Sequence, residues 1–139
     1  MTARRKGREL AVQMLYQWDI SRQPIERVLE SFWQLTEGPE ASRRYTRRLV
    51  TGTLNNLEQI DRLISQHAEH WRLDRIATVD KNIMRLAIYE FLYEDTPEKV
   101  VINEALEVTK KFSTPTAVQF INGILDAVRL TLAATKEAK

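Results

Sequence analysis

Apolar residues return every three or four positions along most of this chain, and that spacing predicts helices. Leu10, Ala11, Met14, Leu15 and Trp18 line one face of residues 9–20. Pro24 follows Ser21-Arg22-Gln23 and is placed to open a short helix through Leu35. Thr36-Glu37-Gly38-Pro39-Glu40 reads as the clearest loop. From Tyr45, the apolar positions Leu49, Leu57, Ile60 and Ile64 predict one long stripe reaching about His67. A short segment around Trp71-Arg72-Leu73-Asp74-Arg75-Ile76 leads to Thr78, which is expected to cap the next helix with Asp80 in its first turn.

Residues 79–93 are apolar on almost every side, from Val79, Ile83 and Met84 to Phe91, Leu92 and Tyr93, so this helix is expected at the centre of the core. Asp95-Thr96-Pro97 ends it. Val101, Ala105, Val108 and Phe112 share a face of the following helix, with Lys110 and Lys111 in its last turn. Thr114 is placed to cap, and Pro115 to begin, a final helix with the seam Val118, Ile121, Leu125, Val128 and Leu132. The tail from Lys136 is expected to fray. Val100-Val101-Ile102 is the one β-branched run and is too short for a sheet. The expectation is an all-α, compact bundle of six or seven helices in a single domain spanning 1–139.

Composition narrows the chemistry. The absence of cysteine removes disulfides, thiolate metal sites and a cysteine nucleophile, and suits a reducing compartment. With 139 residues a chain buries roughly 68–70% of its unfolded surface and needs no staple. No h-region or long apolar run is evident, so the expectation is a cytoplasmic protein with no membrane contact. There is no Gly-rich phosphate loop, GxSxG or paired carboxylate motif, so a binder without cofactor is expected rather than an enzyme. Glu90, Glu104 and Glu107 read as salt-bridge or solvated positions. His67 and His70 stand at i, i+3, but zinc would need a third ligand and no other His or Cys exists. Gly123 is expected to permit close helix packing, Asn103 to satisfy buried backbone groups, and Asn122 is open between that role and a ligand.

The net charge is only +2, yet residues 1–8 hold Arg4, Arg5, Lys6 and Arg8 with no acid among them. Cations in a first turn oppose the helix dipole, so stability of their own helix does not explain them. Arg4 and Arg8 stack at i, i+4 with Arg5 beside them, and exposed backbone N–H groups would complete a phosphate site. A solvated basic tip without a partner accounts for the composition equally well. Around Tyr45, a second cluster of Arg43, Arg44, Arg47 and Arg48 is denser, with Glu37 and Glu40 near enough to neutralise part of it. A solvated face is the favoured reading there, over further contacts to a nucleic acid's phosphates.

Three stretches together resemble the NusB family. They are Arg4-Arg5-Lys6-Gly7-Arg8-Glu9-Leu10-Ala11-Val12-Gln13-Met14-Leu15-Tyr16; the segment Trp71 to Ile76 running into Val79-Asp80-Lys81-Asn82-Ile83-Met84-Arg85-Leu86-Ala87-Ile88-Tyr89-Glu90; and Val101-Ile102-Asn103-Glu104-Ala105-Leu106-Glu107 through Lys110-Lys111-Phe112, closed by Phe120-Ile121-Asn122-Gly123-Ile124-Leu125-Asp126. Their order and spacing span most of the chain. The resemblance implies two small helical subdomains in one unit and a transcription antitermination factor. It implies binding to boxA-type single-stranded RNA of ribosomal RNA operon transcripts with the NusE-type ribosomal protein, in a complex with other Nus factors and RNA polymerase. Carried onto this sequence, the RNA surface would use Arg4, Arg5, Lys6 and Arg8, then Lys110, Phe112, Thr116 and Phe120, with His67 joining them. Tyr16 and Asp80 would face NusE. Phe112 lies on the apolar stripe and is expected in the core, whereas Phe120 lies off the main seam and is the better stacking plane.

One stretch departs from the family. Thr114-Pro115-Thr116-Ala117-Val118 stands where many members carry an acidic residue and a serine, so Ala117 lacks a hydroxyl that could touch RNA. The main alternative is the RNA-binding domain that precedes ribosomal RNA cytosine methyltransferases, which would call for a following α/β domain, whereas the chain ends at Lys139. A protein-binding helical adaptor with an incidental basic tip is the other alternative. Nothing in the pattern chooses between a monomer and a homodimer.

Overall fold

In the computed structural model, which describes residues 2–35, 38–68 and 72–137, seven α-helices and one 3₁₀ turn carry the described chain. They are α1 (Ala3–Ser21), α2 (Ile25–Leu35), α3 (Glu40–Asn55), α4 (Leu57–His67), the 3₁₀ turn Leu73–Arg75, α5 (Thr78–Tyr93), α6 (Glu98–Phe112) and α7 (Pro115–Glu137). α2 and α3 pack on α1, while α4, α6 and α7 pack on α5, with α6 also meeting α1 and α4 meeting α3. α5 touches α1, α3, α4, α6 and α7, and residues 82–90 are buried without interruption. Its all-round apolar pattern demands such a position, because any solvent-facing side would leave large side chains in water. One continuous core joins Met14 and Leu15 of α1 to Leu49 of α3, Ile60 and Ile64 of α4, Met84 and Ile88 of α5, and Ile121 and Leu125 of α7. Each such side chain contributes roughly 1.5–3 kcal/mol when fully buried.

Most helix boundaries follow from local chemistry. Arg22 turns left-handed at φ 61°, and its N–H donates to the Trp18 carbonyl at 2.9 Å, which closes α1. Pro24 precedes the first residue of α2. At the start of α7, the Thr114 hydroxyl accepts from the Ala117 N–H at 3.2 Å and Pro115 is the first helical residue, as the sequence predicts.

Two boundaries differ from expectation. The single stripe from Tyr45 to His67 is two helices, broken at Asn56 with φ −121° and ψ 22°. There the Asn56 backbone N–H donates to Thr53, and its side-chain amide takes over the bond to the Gly52 carbonyl at 2.8 Å. An asparagine that replaces its own backbone donor lets the chain turn with no carbonyl lost. The other difference is Thr78, which is the first residue of α5 rather than its cap; Ala77 holds the cap position.

Glycines and amides also rearrange the expectation. A Cβ on Gly52 would overlap the Tyr89 ring, so the close approach of α3 to α5 is what needs a glycine. Gly123 has nothing within 4 Å of a built Cβ and permits no packing at all. Asn103 and Asn122 are both exposed, so neither satisfies buried backbone. The tail expected to fray from Lys136 is helical through Glu137, and Ala138 and Lys139 lie outside the described residues. The expected absence of a long apolar run is corrected by α7, where 115–136 is long and apolar enough to cross a membrane by length and composition. Here that stretch packs along α4, α5 and α6.

A buried polar cluster locks three helices together. Arg85 of α5 grips Asp61 of α4 with two bonds of 2.8 and 2.9 Å and reaches Asp19 of α1 at 3.0 Å. Asn82 donates to Asp19 at 3.1 Å, and the Lys81 ammonium stands 3.3 Å away. Burial works against the Asp19 charge, but the Asn82 hydrogen bond and the Arg85 and Lys81 charges outweigh it and hold its carboxyl below the ordinary 3.8.

Because the folded pKa of Asp19 is depressed, its contribution is complete above 3.8 and is lost as pH falls through the folded value. Urea denaturation of Asp19→Asn should show lower stability than the parent at pH 7, with the gap narrowing below pH 3.8; a constant gap would count against this account. In the same assay Gly123→Ala should stabilise by about 1 kcal/mol, whereas Gly52→Ala should destabilise.

Candidate nucleic-acid interface

The basic end of α1 is ordered by its own cap: the Thr2 hydroxyl accepts from the Arg5 N–H at 3.1 Å. Its four cations then point in different directions. Arg4 lies over the Tyr45 ring of α3, 5.7 Å from its centroid. Arg5 donates through Nε to Glu104 of α6 at 2.8 Å and keeps 40% of its side chain exposed. Lys6 is exposed and lines a pocket of about 80 Å³ with Leu10, Trp33 and Arg43.

Arg8 turns inward. Only 4% of its side chain is exposed, and its Nε and Nη2 meet the Glu90 carboxylate at 3.0 and 2.8 Å. Desolvation opposes its charge, yet the Glu90 hydrogen bonds and charge prevail and raise its pKa above the ordinary value. This corrects two expectations: Arg8 does not form a surface pair with Arg4, and it has no accessible face for a phosphate. Cations that oppose their own helix dipole are explained, at Arg5 and Arg8, by carboxylates on neighbouring helices. Gly7 lets this end of α1 lie against α3, since a Cβ there would stand 2.7 Å from the Tyr45 ring.

α6 continues the same edge. Glu9 is buried and receives Lys111 at 2.9 Å, so α1 and α6 are tied at Arg5–Glu104 and again at Glu9–Lys111. Lys110 is exposed beside Glu107 at 3.2 Å. Phe112 is half-buried against the core, with the Lys111 ammonium 5.7 Å from its centroid. Beyond Phe112, Ser113 donates to Asp80 at 2.6 Å. Asp80, Thr116, Ala117 and Phe120 then line a cleft of about 450 Å³ together with Arg75 and Ile76.

The structure thus brings Thr116, Phe120 and Asp80 to one cleft and joins it along α6 to Arg5. Asp80 is 8% exposed, so it lines that cleft as a largely covered carboxylate and not as a free surface charge. Tyr16 is 41% exposed on α1. His67 is placed elsewhere: its Nε2 lies 3.1 Å from the Thr131 hydroxyl. Thr131 is fifteen residues beyond Thr116, about 22 Å along α7. His70, the other half of the histidine pair, lies outside the described residues. Glu104, expected as a salt-bridge or solvated position, is the salt-bridge partner of Arg5. The Glu9–Lys111 pair escaped the sequence reading, because pairing across helices leaves no local spacing to detect, and the Lys110-Lys111 repeat in the last turn was the available signal.

The sequence profile of the NusB family matches residues 5–129. The transcription antitermination protein NusB of Koribacter versatilis is 46% identical across 98% of this chain and 94% of its own. That of Solibacter usitatus is 44% identical across 93% and 90%. Among solved structures, T. maritima NusB superposes with a TM-score of 0.84 at 36% identity, covering 93% of this chain and 92% of that one. The antitermination factors NusB and NusE in complex with dsRNA contain a chain similar at TM-score 0.81 and 25% identity, covering 94% and 98%. The chain is all-helical among the described residues, and it belongs to the NusB family.

Glu90→Gln leaves the Arg8 guanidinium buried without its counter-charge and should cost about 3–5 kcal/mol. Chemical denaturation reads this directly; a loss below about 1 kcal/mol, the range of exposed pairs, would mean that the pair is not insulated from water.

Proposed function

We propose that this chain is a transcription antitermination factor that binds boxA-type single-stranded RNA of ribosomal RNA operon transcripts together with a NusE-type ribosomal protein. The observation that carries the reading is the exposed cationic end of α1, with Arg4, Arg5 and Lys6, joined along α6 to the open cleft at the start of α7. Family membership and the solved NusB–NusE–dsRNA complex support it.

The roles divide by chemistry. Arg4 and Lys6 hold the RNA backbone by charge, while Arg5, half turned to Glu104, adds a donor that Glu104 keeps in place. Phe120, half-buried against the core as Phe112 is, offers the part of its ring that lines the cleft for an unstacked base, worth roughly 1–3 kcal/mol per base. Lys110, at the end of α6, contributes a further cation. Tyr16 and the Asp80 side of the cleft receive the NusE-type protein. Arg8 supports the site from inside by fixing α1 on α5. Phe112 and His67 act at most on its margins, one through the Lys111 it underlies and the other through α7. The protein works by binding alone, without a reaction of its own or a cofactor, and joins other Nus factors and RNA polymerase in the cytoplasm.

Titration of boxA-type RNA across a salt series, with and without the NusE-type protein, tests the reading. Arg4→Ala/Lys6→Ala should weaken binding and flatten the log–log salt slope by about 1.4, near 0.7 for each lost phosphate contact on a single strand. Equal affinity and equal slope for parent and variant would refute the terminal site.

A further inference from the structure

A second basic face adjoins the end of α1, and the site described above does not use it. Arg43, Arg44, Arg47 and Arg48 project from α3 within two turns. Tyr45 couples this face to α1: Arg4 lies 5.7 Å and Arg48 5.3 Å from the same ring centroid. Arg43 lies over Trp33 at 5.5 Å and lines one small pocket with Lys6. Stacked guanidiniums have their planes fixed by the ring, so their remaining N–H edges are presented without further loss of freedom.

Two of the carboxylates that meet this face come from other helices. Glu37 lies outside the described residues, and Glu40 begins α3. Arg47 instead meets Glu26 of α2 at 3.1 Å, with both side chains more than half exposed. Arg48 meets Glu94 at the end of α5 at 2.8 Å. Arg44 is exposed. An exposed pair such as Arg47–Glu26 contributes little and yields readily to a stronger anion. Among the described carboxylates, Glu26 and Glu94 meet Arg47 and Arg48, while Arg4, Lys6 and Arg44 stay exposed, which leaves a positive band from α1 across α3.

We propose that this band is a second backbone track, on which α3 holds phosphates of the same RNA beyond the segment bound at the end of α1 and the α7 cleft. The proposal rests on the RNA reading above. A polyanion of fixed charge spacing fits the band better than a protein segment, because the band presents cations and stacked guanidiniums while the rings within it, Tyr45 and Trp33, are both half-buried beneath arginines.

Two boxA-type RNAs separate the tracks, a short one of about the length of the element and one extended by several nucleotides on each side. Arg44→Gln/Arg47→Gln removes two exposed charges, and its melting temperature checks that the fold is intact. The parent should bind the extended RNA more tightly than the short one. The variant should bind the short RNA as the parent does, while losing about 1.4 of salt slope and roughly tenfold in affinity on the extended RNA. A parent that gains nothing from the extension, or a variant with unchanged slope on it, overturns the proposal. So does displacement of extended RNA from neither protein alongside charge-dependent capture of polyglutamate, which would assign α3 to an acidic protein segment. Failure of the terminal site is read separately, as indifference of the short RNA to Arg4→Ala/Lys6→Ala.

Discussion

The ion pair of Arg8 with Glu90 sets the position of α1 on α5, and the remaining surface is arranged around that placement. A guanidinium and a carboxylate that are both almost wholly removed from water tolerate little displacement, since either one alone would be a buried charge. The pair stands near one end of the α1–α5 contact, and the Asp19–Asn82–Arg85 cluster stands near the other. Two polar locks eleven residues apart on α1 hold a contact that hydrophobic burial alone would allow to slide. Arg85 extends the second lock to Asp61 of α4, so the early and late helices share one reference frame.

That frame is what gives the terminal cations a fixed direction. Gly7 and Tyr45 seat α1 on α3, Glu104 and Lys111 tie it to α6, and the cap at Thr2 starts the helix in register. Arg4 and Lys6 are consequently displayed at the seam of α1 with α3, next to the band of arginines on α3. A basic tail would meet a polyanion after paying the full entropy of ordering; cations on a capped, doubly anchored helix meet it with most of that entropy already lost. The division of labour among the first eight residues follows: Arg8 is structure, Arg5 is shared with Glu104, and Arg4 and Lys6 face outward.

The cleft at the start of α7 shows a comparable economy. Thr114 and Pro115 start the helix, Ser113 engages Asp80, and Thr116 and Phe120 are left on one wall. Ala117, which stands where many family members carry a serine, is buried there and donates its N–H to the Thr114 cap. A hydroxyl at that position would therefore face packed neighbours, and the polar and aromatic side chains that α7 gives this wall are those of Thr116 and Phe120.

From residue spacing alone came the all-helical class, the burial of α5, the cap at Thr114 and the basic ends of α1 and α3, because periodicity, caps and charge runs are local properties. Family resemblance supplied the candidate residues. Only tertiary structure decided which cations are surface and which are core, since Arg4 and Arg8 differ by one helical turn and by nothing in composition. Glu90 reaches Arg8 across 82 residues and Glu104 reaches Arg5 across 99, whereas Arg4 lies over the Tyr45 ring. It also split the stripe at Asn56, where a side chain stands in for its own backbone, and left Gly123 in open space while setting Gly52 against a ring. The physical reason is the same in each case: the partner that settles a side chain's role lies on another helix, and no spacing along the chain encodes that encounter.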